Sequence, residues 1–343
     1  MELNGKTVVL TGATGGIGSA LALELCAEGA QVIAIGRRPA ALETLRQRAA
    51  GRPGRLQPLV ADINCARDRA RIAEVASAPD ALIHAAALGS FGLFVDSDAA
   101  EREALFQTNV LAPMALTQAL LPALLKRPEA RVLAVGSTFG SLAHPGFAAY
   151  SASKFALRGF IEALGREHAD SSLVAQWIAP RATDTAFNPP NVVALNKALK
   201  THVDAVEDVA AQIVQALRAG TRRRQLGWPE KLFAWLNGAL PALVDRGLRA
   251  ALPVVRAHAT ADRRPSVPAK SFAAAPSPQQ GVMAFDRRVA AIPSTLRAEP
   301  AERVQERRPE LPHPGANATR TDVGAAAHIH PSPNSPSHPG VAP

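Results

Sequence analysis

Apolar positions in the first 217 residues follow two alternating patterns. Short β-branched and aliphatic runs are separated by longer stretches whose apolar residues recur three and four apart. The short runs predict strands at Thr7–Thr11, Gln31–Gly36, Leu56–Ala61, Ala81–Ala85, Arg131–Gly136 and Ser172–Ala179. The longer stretches predict helices, among them Gly16–Gly29, Asp98–Leu125 and Ala149–Ala169. Strand–helix alternation at this spacing predicts a parallel sheet with helices on both faces. Near-continuous apolar strands fit burial on both sides.

Past residue 217 the pattern changes. Residues 218–256 are basic and set Trp228, Phe233 and Trp235 among leucines. Residues 257–343 hold half of the 28 prolines, with many alanines, serines and arginines and no sustained period. Such a stretch buries too little apolar surface to offset its ordering entropy, so a disordered tail is expected. The expected organisation is a catalytic domain over 1–220, a basic amphipathic helical extension over 221–256 and the tail over 257–343. No internal repeat is visible.

At 343 residues and 47% hydrophobic, the chain has enough material for a large α/β core. Its net charge of +9 is unevenly placed: the first 217 residues carry 20 basic and 20 acidic side chains, and the excess lies beyond them. The basic balance therefore gives no reason to expect nucleic acid as a partner of the domain. Cys26 and Cys65 form neither a disulfide framework nor a C-x-x-C pair, which predicts a reduced, cytoplasmic setting. The N-terminus shows no basic segment leading into an apolar one, so no secretory leader is expected. No apolar, uncharged run of membrane-spanning length is read from the sequence.

The first strand runs into Thr11-Gly12-Ala13-Thr14-Gly15-Gly16-Ile17-Gly18 and then a helix. Gly12, Gly16 and Gly18 let backbone turn tightly and approach a pyrophosphate, which the helix N-terminus attracts through its N–H groups. The position between strand and helix is the context this motif requires. No Gly-Lys-Ser/Thr follows, so it is not a P-loop. At the end of strand two, where an acidic residue would hold a ribose 2′-hydroxyl, the chain has Arg37 and Arg38. Two guanidinium groups there suit a 2′-phosphate and predict NADP(H) as cofactor. Arg38 is equally readable as a solvent-facing loop residue.

Tyr150-Ser151-Ala152-Ser153-Lys154 opens a helical pattern. Tyr150 and Lys154 stand four apart on one helix face. A neighbouring ammonium favours the phenolate and is expected to lower the tyrosine pKa toward the range useful for proton transfer.

With T-G-x-x-x-G-I-G and Y-x-A-S-K both in place, the sequence resembles the short-chain dehydrogenase/reductase family over about residues 5–217. The resemblance implies a Rossmann-like three-layer α/β fold with a parallel, seven-stranded sheet in one domain, extended here by the C-terminal helices and the disordered tail. It implies hydride exchange between a nicotinamide cofactor and a ketone, aldehyde or alcohol. The family's serine and asparagine, thirteen and forty-one residues before the tyrosine, fall on Ser137 and Asn109. By resemblance Ser137 binds the substrate oxygen, Tyr150 moves the proton, Lys154 tunes the tyrosine and holds the ribose, and Asn109 anchors a water. Thr11, Gly12, Thr14, Gly15, Gly16, Ile17, Gly18, Arg37, Arg38, Asp62, Ile63, Ala85, Ala86, Pro180, Thr183 and Thr185 are the implied cofactor contacts, with Tyr150 and Lys154. Asp62 also reads as a cap for the next helix.

Two departures stand out. His84-Ala85-Ala86-Ala87 replaces the family's N-N-A-G, which removes polar braces of the adenosine pocket. Arg181 replaces a glycine in the loop near the nicotinamide. His84 reads as a strand-end packing residue, and no metal site is expected. Phe187, Val192, Val193 and Leu195 suggest an apolar substrate or a packed lid. Residues 228–256 read either as an amphipathic pair on an anionic membrane surface or as helices covering the site or a subunit interface. A homo-oligomer is implied by the resemblance alone. Alternative functions are a 3-oxoacyl carrier-protein reductase and an NADP(H)-sensing protein without turnover.

Overall fold

The computed structural model of the chain describes residues 1–260. Seven parallel strands form one sheet: β1 (Thr7–Thr11), β2 (Gln31–Gly36), β3 (Arg55–Val60), β4 (Ala81–His84), β5 (Ala130–Val135), β6 (Leu173–Ala179) and β7 (Arg223–Gln225). Their order is β3-β2-β1-β4-β5-β6-β7. The chain reverses direction across the sheet between β1 and β4, which opens a crevice at their carboxyl ends.

Ten α-helices surround or extend the sheet: α1 (Gly16–Ala27), α2 (Pro39–Ala49), α3 (Ala66–Val75), α4 (Ala99–Phe106), α5 (Ala112–Leu124), α6 (Ala148–Glu167), α7 (Pro190–Ala198), α8 (Val206–Ala219), α9 (Glu230–Ala239) and α10 (Pro241–Thr260). Alternate residues of each strand enter opposite cores, as the pleat requires. Val8 and Leu10 pack with Leu21 and Leu25 of α1 and Ile213 and Leu217 of α8. Val9 points the other way, to Leu116 and Leu120 of α5 and Leu157 and Ile161 of α6. A third cluster joins Leu105, Phe147, Tyr150, Leu195 and Val255 of α10 at the carboxyl end of the sheet.

The expected strands are met to within a residue. The helix expected over Asp98–Leu125 is instead α4 and α5 joined by a π-helical turn at Gln107–Leu111. There the Ala112 N–H bonds the Gln107 carbonyl, five residues back, instead of an α-helical partner. By length and composition, Ala99–Leu124 is apolar enough to cross a membrane, contrary to the sequence reading. Its Leu116, Leu120 and Leu124 are buried in the core, so this hydrophobicity serves the sheet. β7 lies past residue 220 and α10 runs past residue 256, so sheet and helix each overstep the expected boundaries. The expected disordered tail lies outside the described residues, apart from 257–260, which are helical.

Candidate active site

The crevice is the floor of a cleft of about 1010 Å³. At one end β1 turns into α1 through the glycine run. A Cβ on Gly12 would meet the Ala86 nitrogen at 2.5 Å, and one on Gly18 would meet the Gly12 oxygen at 2.1 Å. Gly12 also takes a φ of +67°, which L side chains rarely adopt. No side chain caps α1 at Gly15. The result is a bare backbone cradle with helix N–H groups facing it, which fits a pyrophosphate. Gly12, Thr14, Gly15, Gly16, Ile17 and Gly18 all line the cleft.

Arg37 and Arg38 stand exposed where β2 ends, at the same side of the cleft. Arg38 Nη2 donates to the Thr14 carbonyl at 3.1 Å, so one guanidinium already leans over the glycine turn. Asp62 and Ile63 line the wall after β3. The Asp62 carboxylate accepts the Asn64 N–H at 2.9 Å, bracing the turn before α3 as well as facing the cleft.

Thr11 does not reach the cleft. Its buried hydroxyl donates to the Ile83 carbonyl and accepts the N–H groups of Ala85 (3.2 Å) and Ala86 (3.3 Å). Thr11 thereby ties β1 to the end of β4 behind the cleft wall that Ala85 and Ala86 line. This corrects its expected place among the cofactor contacts. It also supplies a brace where His84-Ala85-Ala86 lacks polar side chains. His84 is fully buried, bonded through Nε2 to Thr117 Oγ1 at 2.8 Å, and desolvation pushes its pKa down to about 3. No cluster of metal-ligating side chains exists among the described residues.

At the other end, α6 presents Tyr150 and Lys154 to the cleft and the end of β5 presents Ser137. Ser137 does two jobs. Its Oγ accepts the Phe139 N–H at 3.1 Å, capping the 3₁₀ turn Thr138–Gly140, and it also hydrogen-bonds the Tyr150 phenol. Gly136 and Gly140 leave room for the ring of Trp177 beneath this turn; a Cβ on Gly136 would come within 2.4 Å of it. Lys154 is buried, and its Nζ donates to the Val135 carbonyl at 3.2 Å.

The electrostatics correct one expectation. Burial pushes the Tyr150 phenol up to about 12, with the Ser137 hydrogen bond acting in the lowering direction. Burial pushes Lys154 down to about 8. The Lys154 Nζ lies 5.7 Å from the Tyr150 ring centroid, and the phenol is not lowered by it. In this dry pocket loss of water outweighs the neighbouring ammonium.

Asn109 lies behind the cleft wall. It is fully buried in the π-helical turn and does not line the cleft. Its side chain accepts the Leu88 N–H at 2.8 Å and donates to the Leu88 carbonyl (2.9 Å) and Ser153 Oγ (3.1 Å). It pins the segment after β4 to α6, one residue before Lys154.

Pro180, Thr183 and Thr185 follow β6 and line the cleft. The Thr183 hydroxyl donates to the Arg181 carbonyl at 3.0 Å. Thr185 lies across the glycine turn, where a Cβ on Gly16 would meet its Cγ2 at 2.3 Å. Arg181 itself makes a fork to Asp204 (2.9 and 2.7 Å) and reaches Glu230 of α9 at 3.2 Å and the Trp228 carbonyl at 3.1 Å. The substitution of arginine for the family's glycine thus ties the loop after β6 to the C-terminal helices.

Of the aromatic wall around Tyr150, the sequence marked only Phe187. Phe139 meets Tyr150 edge-on at 6.3 Å, Phe187 lies 6.1 Å from it, and Phe91 packs on Phe147 at 4.8 Å. Phe139, His144 and Phe147 lie between Ser137 and Tyr150, and that position alone could have marked them. Phe91 carries no such signal. Asp204 and Glu230 were also missed, since their partner Arg181 lies far away in sequence.

Comparison with known proteins bears on the whole arrangement. The short chain dehydrogenase family profile matches residues 6–194. The bovine Dehydrogenase/reductase SDR family member 7B is 35% identical over 184 residues, 50% of this chain and 56% of that protein. The match thus spans little more than half of that relative's length. Nodulation protein G of Rhizobium sp. (strain N33) is 32% identical over 190 residues, 54% of this chain and 76% of its own. Among solved structures, a short chain dehydrogenase/reductase from Burkholderia phymatum in complex with NAD superposes with a TM-score of 0.64 at 20% identity, covering 71% of this chain and 96% of that one. A short-chain dehydrogenase from Streptomyces avermitilis gives 0.61 at 28% identity, with 74% and 99% covered. The family profile covers more than half of the chain, and on that match this protein belongs to the short chain dehydrogenase family, oxidoreductases that work with a nicotinamide cofactor.

Proposed function

We propose that the protein is an NADP(H)-dependent oxidoreductase interconverting an apolar ketone or aldehyde and its alcohol, with Tyr150 as general acid and base. The observation that carries this reading is one cleft with two specialised ends. Ser137, Tyr150 and Lys154 converge at an aromatic end, and a bare glycine turn beside two arginines forms the other.

A nicotinamide cofactor, when bound, supplies or takes up the hydride. The glycine turn and the start of α1 would hold its pyrophosphate, Asp62, Ile63, Ala85 and Ala86 its adenosine side, and Pro180, Thr183 and Thr185 its nicotinamide half. Arg37 and Arg38 would pair with a 2′-phosphate. The Burkholderia protein holds NAD; it is only 20% identical, and the arginines here favour the phosphorylated cofactor.

In reduction, Tyr150 Oη gives its proton to the carbonyl oxygen and is left as phenolate. In oxidation it takes the proton from the alcohol. Its raised pKa keeps the free protein in the protonated form that reduction needs. Ser137 would donate a hydrogen bond to the substrate oxygen and offset its developing charge. Lys154, with a pKa of about 8, is mostly an ammonium at neutral pH and would hold the nicotinamide ribose. The wall of Phe91, Phe139, Phe147 and Phe187 favours an apolar substrate, and burial lowers the pKa of the neighbouring His144, keeping it uncharged near neutral pH.

The test is NADPH oxidation by the purified protein across carbonyls graded from small and polar to long and apolar, with NADH as control. The expected result is turnover that favours NADPH and apolar carbonyls and falls by roughly 10²–10⁴ in Tyr150→Phe. Tight NADPH binding without turnover of any carbonyl would replace this reading with a sensing role.

A further inference from the structure

Helix α9 is held to the protein by its polar side and turns its apolar side to water. Glu230 is paired with Arg181, and Asn237 Nδ2 donates to the Ser141 carbonyl at 3.0 Å. With the small Ala234 these residues form one half-buried face. The opposite face carries Leu232 and Trp235, which are 41% and 66% exposed, and Phe233, on the flank beside Asn237, is 45% exposed. No residue of α9 is buried. Trp228, just before the helix, is 67% exposed, and Leu240 and Leu243, just after it, are 52% and 54% exposed. An amphipathic helix normally does the reverse, and a contiguous exposed apolar patch marks an interaction surface.

Charge indicates the partner. Residues 228–256 carry four basic and two acidic side chains, whereas the first 217 residues are balanced. Of the two acids, Glu230 is already paired with Arg181. Lys231, Arg246, Arg249 and Arg256 are exposed on α9 and α10. A two-fold contact between copies would set these like charges against one another. An anionic lipid surface complements them, and tryptophan is suited to the boundary between headgroups and acyl chains.

We propose that Trp228, the outer face of α9 and the start of α10 dock on an anionic membrane surface. The docking face is built onto the substrate end of the cleft: Glu230 lines the cleft, and Val255 of α10 packs in the cluster that contains Tyr150. The proposal does not rest on the catalytic reading, because vesicle binding is measured without turnover.

The experiment is flotation of the full chain with vesicles of phosphatidylcholine alone or mixed with phosphatidylglycerol, followed by tryptophan emission. Trp177 is 2% exposed, so a change in emission reports Trp228 and Trp235. The expected result is co-flotation with the anionic vesicles, a blue shift, and release at high salt. Phe233→Glu/Trp235→Glu should lower binding about tenfold or more, with the thermal midpoint and NADPH affinity unchanged. Arg246→Glu/Arg249→Glu should weaken binding to anionic vesicles as well, and it tests the proposal independently if the first variant fails to fold. A wild-type chain that floats with neither vesicle overturns the proposal. So does flotation that both variants leave intact. A patch variant that only dissociates a homo-oligomer in sedimentation would assign the face to a second copy and overturn it too.

Discussion

Two buried ionisable side chains stand on one face of α6 at the substrate end of the cleft, and their perturbed pKa values set opposite pH dependences. Lys154 is held near 8 in the folded protein, against 10.5 ordinarily. Between those values the unfolded chain holds a proton that the folded protein has released, so stability rises with pH across this window. Tyr150, raised from 10 to about 12, acts the other way: its contribution is lost as pH climbs through that range. Replacing Lys154 with Met should therefore stabilise the protein near neutral pH by up to about 3 kcal/mol and flatten the rise toward about pH 10. Turnover should be lost at the same time. Urea unfolding at the two pH values measures the first effect, and an unchanged profile would show that the ammonium is better solvated than its burial implies. At the far end, Arg37→Asp should raise the KM for NADPH by about tenfold or more, since it turns a cation into an anion beside the 2′-phosphate. The KM for NADH should move far less. Equal effects on both cofactors would place Arg37 outside the recognition of the phosphate. Tyr150 and Lys154 were legible because they stand four apart on one helix face, and Ser137 only through the family resemblance. The direction of the tyrosine shift was not, because burial is a property of the packed pocket.

Helices and strands agree closely with the apolar periodicities wherever a helix or strand buries one face in the sheet. Disagreements fall where another force decides. The π-helical turn holds Asn109 against Leu88 and Ser153, and β7 is three residues long, with no apolar alternation to announce it. The loop after β6 is shaped by long-range pairing. Arg181 is largely buried between Asp204 and Glu230, and it joins three segments that are far apart in sequence. Arg181→Gly would leave two carboxylates without their partner and is expected to cost about 1–3 kcal/mol. It should also free the amides around Gly227–Asn237 to exchange faster with solvent deuterium while those of β1 and β4 stay protected. Protection unchanged at α9 would mean that the helix is held by Asn237 and its neighbours alone.

For the molecule as a whole, the described residues leave two exposed faces of different character. One is the apolar and basic surface of α9 and α10. The other lies on α6, where Ala152, Phe155, Ala156 and Gly159 are exposed along one side, close in the chain to Tyr150. A homo-oligomer through α6 is the expected assembly. Phe155→Glu should shift the sedimentation coefficient to that of a smaller species. A wild-type chain that is already monomeric at high concentration would remove this expectation. The two faces are separable, because the α6 variant should leave vesicle binding intact.

Sequence by itself determined the fold class, the strands and helices that bury one face in the sheet, the glycine turn, the arginines after β2 and the tyrosine and lysine of the site. Each depends on local periodicity, on a backbone that only glycine permits or on a short fixed spacing. Tertiary structure alone decided that Thr11 and Asn109 brace the cleft from behind, that an aromatic wall gathers from three separate segments, and that Arg181 fastens the C-terminal helices to the site. It also decided which side of α9 faces water. Those outcomes depend on contacts between residues distant in sequence and on the removal of water around them, neither of which any local pattern encodes.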